Sequence, residues 1–170
     1  LLSQSHYIEK ILSHFNHQDC KPTLTPIDPK IDFVKHVGDL VSQLDYAKVI
    51  GCLMYAITCT RPDIAFVAGV LSRYTSNPSK QHWFGVTRVL RYLKHTKVYG
   101  ICYSGYPSVL EGYSDASWMT NKDDHSSTSG SVFILHGGAI SWASKNQTSI
   151  TNFTMAAKII ALLSASKEAD

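Results

Sequence analysis

Asp115 sits in the stretch EGYSDASW (111–118), one carboxylate inside a run that otherwise reads as a strand of small, hydroxyl and aromatic side chains. Carboxylates do chemistry in clusters. A divalent ion takes several oxygen ligands, so a single Asp is a metal ligand only if partners join it. The nearest candidates to join Asp115 are poorly placed. Glu111 falls on the same face of a strand, but four residues of strand separate the two by about 13 Å. Asp123, Asp124 and His125 lie in TNKDDHSS, which reads as a solvated turn before the next strand.

Other chemistries find less support. Cys20, Cys52, Cys59 and Cys102 contain no C-x-x-C pair, so neither a zinc site nor a disulfide framework is expected, and the thiols read as inert ones of an intracellular protein. The eight histidines include no H-x-x-x-H pair. HSSTSGS is rich in hydroxyls without a G-x-S-x-G elbow, and no G-x-x-x-x-G-K-S phosphate cradle occurs. Trp83, Trp118 and Trp142 could stack on bases; near a helix start and at strand ends, they are expected to pack between helix and sheet. The sequons at Asn146 and Asn152 would matter only in a secreted chain.

The elements that must position Asp115 follow from pattern. With 170 residues, 44% of them hydrophobic and 17% charged, the chain can bury a sizeable core, which argues against disorder. A net charge of +3 permits a nucleic-acid partner without demanding one. No apolar run is long enough to span a membrane, and LLSQSHYIEK lacks the apolar core of a signal peptide. Because the chain opens on Leu1, a piece of a longer polypeptide is expected.

The spacing of Ile8, Leu12 and Phe15 predicts a short helix behind a Ser5 cap. Pro22, Pro26 and Pro29 then hold the backbone extended, as a linker or a strap laid over a neighbour. Val49, Cys52, Leu53 and Ala56 mark one face of a second helix from Asp45. TRPDIAF starts another, with Pro62 in its first turn and Asp63 complementing its dipole. A further helix is expected from Pro78 under an Asn77 cap, with Val86, Val89, Leu90 and Leu93 inward. Arg88, Arg91, Lys94 and Lys97 lie mostly off that stripe. They form a basic face that would meet a nucleic-acid backbone or simply water.

Near residue 98 the texture changes to short aromatic and β-branched runs broken by Gly, Pro and Ser, with Gly137-Gly138 signalling a two-residue hairpin. TMAAKIIALLSASKEAD returns to helix, with Ile159, Leu162 and Leu163 as its expected apolar side. The fold class is α+β: a helical region over 1–98, then strand, hairpin and helix over 99–170.

TRPDIAFVAGVLSRYTSNPSKQHWFGVTRVLRYLKHTKVYGICYSG, YSDASW, SSTSGSVFIL and GGAISWASKNQ together resemble the Pol polyprotein of copia-type retrotransposons. The matching region joins reverse transcriptase to ribonuclease H and enters the ribonuclease H-like fold. The resemblance implies an enzyme that cleaves the RNA strand of RNA/DNA hybrids with two Mg2+ ions on a carboxylate cluster, Asp115 matching the first ligand. The family's second ligand is a Glu in a pattern similar to S-T-E-A-E-Y-M-A-L. Here FTMAAKIIAL puts Ala156 and Lys158 at the two acidic positions, with Lys158 at the metal-binding Glu. The remaining Asp ligands fall beyond residue 170.

An ammonium in place of that carboxylate opposes divalent binding, so no cofactor and no cleavage are expected. Lys158 could instead pair with Asp115 and hold it ionised without metal. The implied partners are the remainder of Pol, a weakly held RNA/DNA hybrid, and a second copy through an open sheet edge. The competing reading is a non-catalytic protein- or nucleic-acid-interaction module in a host-adopted or effector-like role; a third is a translated relic without a role.

Overall fold

The computed structural model describes residues 1–35, 39–105, 108–120 and 123–169. The chain is α+β and divides into two compact units, Leu2–Gly100 and Ile101–Asp170, the second also taking Leu1.

The first unit is helical. After a two-residue strand β1 (Leu2–Ser3) come α1 (Ser5–His14), α2 (Gln43–Cys59), a 3-10 turn over Pro62–Ile64, α3 (Ala65–Ser72) and α4 (Lys80–His95). The short β2 (Gly100–Ile101) leads out of it. Each helix buries the stripe that its spacing marks. Ile8 and Leu12 are joined by Ile11; Val49, Leu53 and Ala56 by Tyr46, Ile50 and Ile57; and Val86, Val89, Leu90 and Leu93 are all buried. Phe15 is half-buried past the end of α1, and Cys52 is only half-buried on α2. Gly85 lets this core close: a Cβ there would lie 2.7 Å from the Phe33 ring and 2.9 Å from Leu71.

The helix starts differ from the expected ones. Gln4, without a side-chain cap bond, stands where the Ser5 cap was expected. Ser42 caps α2 by accepting from the Asp45 N–H at 3.3 Å. Ser79, not Asn77, caps α4: its backbone N–H donates to His82 Nδ1 at 3.0 Å, three residues on. That is a capping box with His in the place of Glu. Because a backbone N–H can only donate, Nδ1 is the acceptor and His82 is neutral; its Nε2 donates to the Val34 carbonyl at 3.1 Å. The ring is fully buried and stacks on Tyr74 at 3.9 Å between centroids.

The second unit is a three-stranded antiparallel sheet, order β3-β4-β5, with one helix. Its elements are β3 (Glu111–Ser117), β4 (Thr128–Leu135), β5 (Gly138–Asn146) and α5 (Thr154–Ala169). Ala116 pairs with Ser129 and Asp115 with Gly130, so Asp115 lies on β3, a strand that among the described residues pairs only on its β4 side. The hairpin turn falls one residue earlier than Gly137-Gly138. His136 and Gly137 occupy it with φ of 53° and 75°, the twin positive values of a type I′ turn. A register irregularity between Phe133 and Ile134 follows in β4.

The expected face of α5 is reversed. Ala157, Ala161 and Ala165 are buried, Ala157 and Ala161 in one cluster with Ala116, while Ile159, Leu162 and Leu163 are exposed by 50%, 61% and 57%. The cause is the sheet surface: Ser114, Ala116, Ser129 and Ser131 alternate on the side that meets α5, and only small side chains on the helix let backbone approach so flat a floor.

Candidate functional site

β3 and the first turns of α5 bring together the two residues singled out at the start. Lys158 Nζ lies 3.3 Å from Asp115 Oδ1. The position comes from several local devices. Trp118 Nε1 donates to the Thr151 carbonyl at 2.9 Å, tying the turn after β3 to the segment entering α5. Gln147, buried at the end of β5, donates from one amide nitrogen to Ser129 Oγ and to the Ala157 carbonyl, each at 2.8 Å. That second bond fixes the backbone beside Lys158. Gln147 carries no sequence signal of its own; a polar residue after a strand reads as surface until its burial is seen.

The Asp115 carboxyl is held below its ordinary range, first by the Ala116 backbone N–H and then by the hydrogen bond and charge of Lys158. Both side chains are mostly in water, 77% exposed for Asp115 and 55% for Lys158. The pair therefore contributes little to stability. It sets the charge of the site: one anion faced by one cation, net zero.

The other candidate ligands do not converge there. Ala156 has no ligating atom. Glu111 accepts from the Tyr113 hydroxyl at 3.1 Å on the exposed part of β3. Asp124 Oδ1 accepts from the Ser126 N–H at 3.0 Å and its hydroxyl at 2.6 Å, an Asx turn, with Asp123 and His125 exposed beside it and His125 at φ 57°. Among the described residues no group of three or more His, Cys, Asp and Glu could hold a metal ion. The residues present do not fit a magnesium pair, because the one carboxylate is met by an ammonium at contact distance.

The basic face of α4 is neither bare nor simply solvated. Arg88 donates from Nη2 to Thr25 Oγ1 at 2.9 Å and meets Asp28 at 3.3 Å; Arg91 Nε donates to the Lys21 carbonyl at 2.6 Å and Lys94 Nζ to the Cys20 carbonyl at 2.7 Å. Lys97 pairs with Glu9 of α1 at 3.0 Å. The proline-rich segment 20–30 is thus a strap laid along α4, with Thr23 returning bonds from its N–H to the Arg91 carbonyl and from Oγ1 to the Arg88 carbonyl. The mutual use of cations and strap carbonyls was not legible from either segment alone.

One charged centre escaped the sequence reading. Arg61 is 1% exposed and grips Asp63 through Nε at 2.9 Å and Nη2 at 2.8 Å, while reaching Thr96 Oγ1 at 2.6 Å and the Thr96 carbonyl at 3.3 Å. The Tyr92 hydroxyl completes it by donating to Asp63 at 2.8 Å. Burial pushes the Asp63 carboxyl up, and the bonds and charge of Arg61 with the Tyr92 bond more than reverse this, leaving it below the usual carboxylate range. Burial, then Asp63, push Tyr92 up to about 12. Asp63 therefore serves Arg61 and Tyr92 in a structural tie from the TRPD turn to α4. The tryptophans stack on no flat platform: Trp83 is half-buried and tilted against Tyr46 at 6.3 Å, Trp142 is half-buried within β5, and Trp118 is partly exposed on its Thr151 bond. The four cysteines are free thiols.

No described helix is long and apolar enough to cross a membrane. No family model and no solved structure matches the chain. Curated relatives do. The chain is 39% identical, over 98% of its length, to the Retrovirus-related Pol polyprotein from transposon TNT 1-94 of Nicotiana tabacum, and 34% identical over 98% to that from transposon RE1 of Arabidopsis thaliana. It spans only 13% and 12% of those two relatives. It is also 39% identical over 76% of its length to the Secreted RxLR effector protein 161 of Plasmopara viticola, covering 92% of that protein. On these likenesses, carried through nearly its whole length, the chain belongs to the Pol polyprotein family of copia-type retrotransposons.

Proposed function

We propose that residues 99–170 are a ribonuclease H-like region whose cleavage chemistry has been lost, and that 1–98 is the segment connecting it to reverse transcriptase. The observation that carries this reading is the Lys158–Asp115 contact at 3.3 Å, an ammonium at the position where the resemblance puts a metal-binding Glu. A cluster built to neutralise two divalent ions needs several negative charges in one place, and this one has none to spare. The context is the remainder of Pol, and an RNA/DNA hybrid is a ligand to be held by phosphate contacts without being cut.

The test is magnesium-dependent cleavage of a labelled RNA/DNA hybrid by the unaltered chain, by Lys158→Glu and by Asp115→Asn. None of the three should cut above background. Cleavage by the unaltered chain that disappears in Asp115→Asn would overturn the reading, since other ligands would then have to assemble around Asp115.

A second reading, a non-catalytic interaction module, is favoured by the apolar face of α5: Met155, Ile159, Leu162 and Leu163 are all exposed. With β3 paired on one side only in its sheet, that surface suits a second copy. Sedimentation across a concentration series reads it directly.

A further inference from the structure

We infer that the strap over residues 20–30 is a displaceable cover on the cation row of α4, competing with the phosphates of a nucleic acid for Arg88, Arg91 and Lys94. Three features carry this. The row repeats every third residue, so its members stack on one side of the helix, one turn after another. Its present partners at Arg91 and Lys94 are backbone carbonyl oxygens, those of Lys21 and Cys20. A carbonyl carries no net charge, and a guanidinium or ammonium bonds a phosphate more strongly than a neutral acceptor.

The third feature is how the cover is held. None of residues 20–30 is buried; Leu24, its one Leu, is 77% exposed. Thr23, Thr25 and Asp28 fasten it to α4 by polar contacts, the last a half-exposed pair with Arg88. A segment whose apolar side chains are at most half-buried, as Cys20, Pro26 and Ile27 are, opens at small free-energy cost, well below that of unfolding the helices beneath it. Opening frees three cations on a rigid helix without disturbing Val86, Val89, Leu90 and Leu93, which face the other way.

The inference supplies the regulation of the hybrid binding proposed above, and it can fail separately from the loss of cleavage when binding is measured in EDTA. Thr23→Pro removes the strap's N–H and hydroxyl donors to α4, and Asp28→Asn removes its one carboxylate on the row. The probe is a fluorescent 20-base-pair RNA/DNA hybrid at several salt concentrations. Each variant, and more so the double variant, should bind at least about fivefold more tightly than the unaltered chain at low salt, because the competent state is populated more often. The plot of log affinity against log salt should steepen by about two to three, one phosphate per freed cation.

Glu168→Gln makes the same change in net charge as Asp28→Asn in the other unit and should leave binding unchanged. Adding Arg88→Ala, Arg91→Ala and Lys94→Ala to the double variant should abolish the gain. In the unaltered chain, saturating hybrid should speed amide exchange across 20–30 while leaving α1 as it was. Equal affinity for all variants, a gain that survives loss of the three cations, or slower exchange in the strap on binding would each overturn the inference.

Discussion

Leu2–Gly100 and Ile101–Asp170 solve the problem of burying a helix in opposite ways. In the first unit α2 and α4 turn their large side chains inward: Tyr46, Val49, Leu53, Val86, Val89 and Leu93 are all fully buried. In the second, α5 turns three alanines inward and leaves Ile159, Leu162 and Leu163 in water. Leu or Ile buried on a helix removes far more apolar surface than Ala, roughly 0.8 kcal/mol for each extra buried methylene. The first unit therefore closes its core with the residues it has. The second holds its helix close to the sheet while leaving most of the helix's large apolar side chains outside.

Polar groups divide the same way. Arg61 is enclosed, and every contact it makes is to a group that is itself fixed, whereas Asp115 and Lys158 meet in solvent. An ion pair built into a core and one lying on a surface carry different information. The first reports on the fold, and the second on the charge that the surface presents.

The contrast breaks or holds first on Leu93→Ala in α4. Leu93 is 0% exposed, so the substitution should cost about 3 kcal/mol, the transfer term plus the cavity left behind. For a unit of this size that lowers its melting temperature by roughly 15 °C. Slow amide exchange in α2 and α4 is the measurement, because it reads this unit by itself. A loss under 1 kcal/mol would mean the helical core is loosely packed and the two units are not different in kind.

Acid comes next in size. The folded Asp63 carboxyl titrates below its unfolded value of about 3.9. Its contribution is therefore present above pH 4 and lost as pH falls through the lower folded value. Asp63→Asn keeps the shape while deleting the charge that answers Arg61. The first unit should lose about 2 kcal/mol at neutral pH, in line with a charged hydrogen-bonded pair, and its stability should fall less steeply between pH 5 and pH 2.5 than that of the unaltered chain. Asp115→Asn, made in the exposed pair, should move neither its unit's melting nor its acid limb. An acid limb unchanged in Asp63→Asn would show that the Arg61 tie is spectator to folding.

Much of this architecture is legible in the sequence where one periodicity dominates. Val86, Val89, Leu90 and Leu93 fix the inward face of α4 because no competing stripe exists, and EGYSDASW alternates as a strand does. What was not legible depends on a partner surface. α5 offers two stripes, one of Ala and one of Ile and Leu, and only the flat Ser and Ala floor of the sheet chooses between them. The Asn77-Pro78 start was a fair local signal that lost to Ser79, whose box needs His82 to accept a bond and not merely to occupy a helix position. Arg88, Arg91 and Lys94 of α4 read as a free face because the strap that meets them lies some sixty to seventy residues back in the chain, beyond any local window. At the site, Asp115 and Lys158 could be paired from the resemblance alone, but Gln147, which holds the turn carrying Lys158, could not.

The smallest expected effect tests the second unit most sharply. Leu162→Ser replaces a side chain that is 61% exposed, so most of what it deletes is surface that the unit leaves in water. Its cost to the stability of that unit should stay within about 0.5 kcal/mol, the range of surface substitutions, while Ala161→Leu, one position away and 1% exposed, should cost about 1–3 kcal/mol by forcing α5 off the sheet. Urea unfolding followed by the fluorescence of Trp118 and Trp142 in a Trp83→Phe background, at two protein concentrations tenfold apart, separates the possibilities. If Leu162→Ser costs several kcal/mol at both concentrations, the face is covered within the chain and the contrast with the first unit collapses. If it costs more only at the higher concentration, the apolar side of α5 is what a second copy covers, and the hydrophobic surface this helix withholds from its own core belongs to an interface.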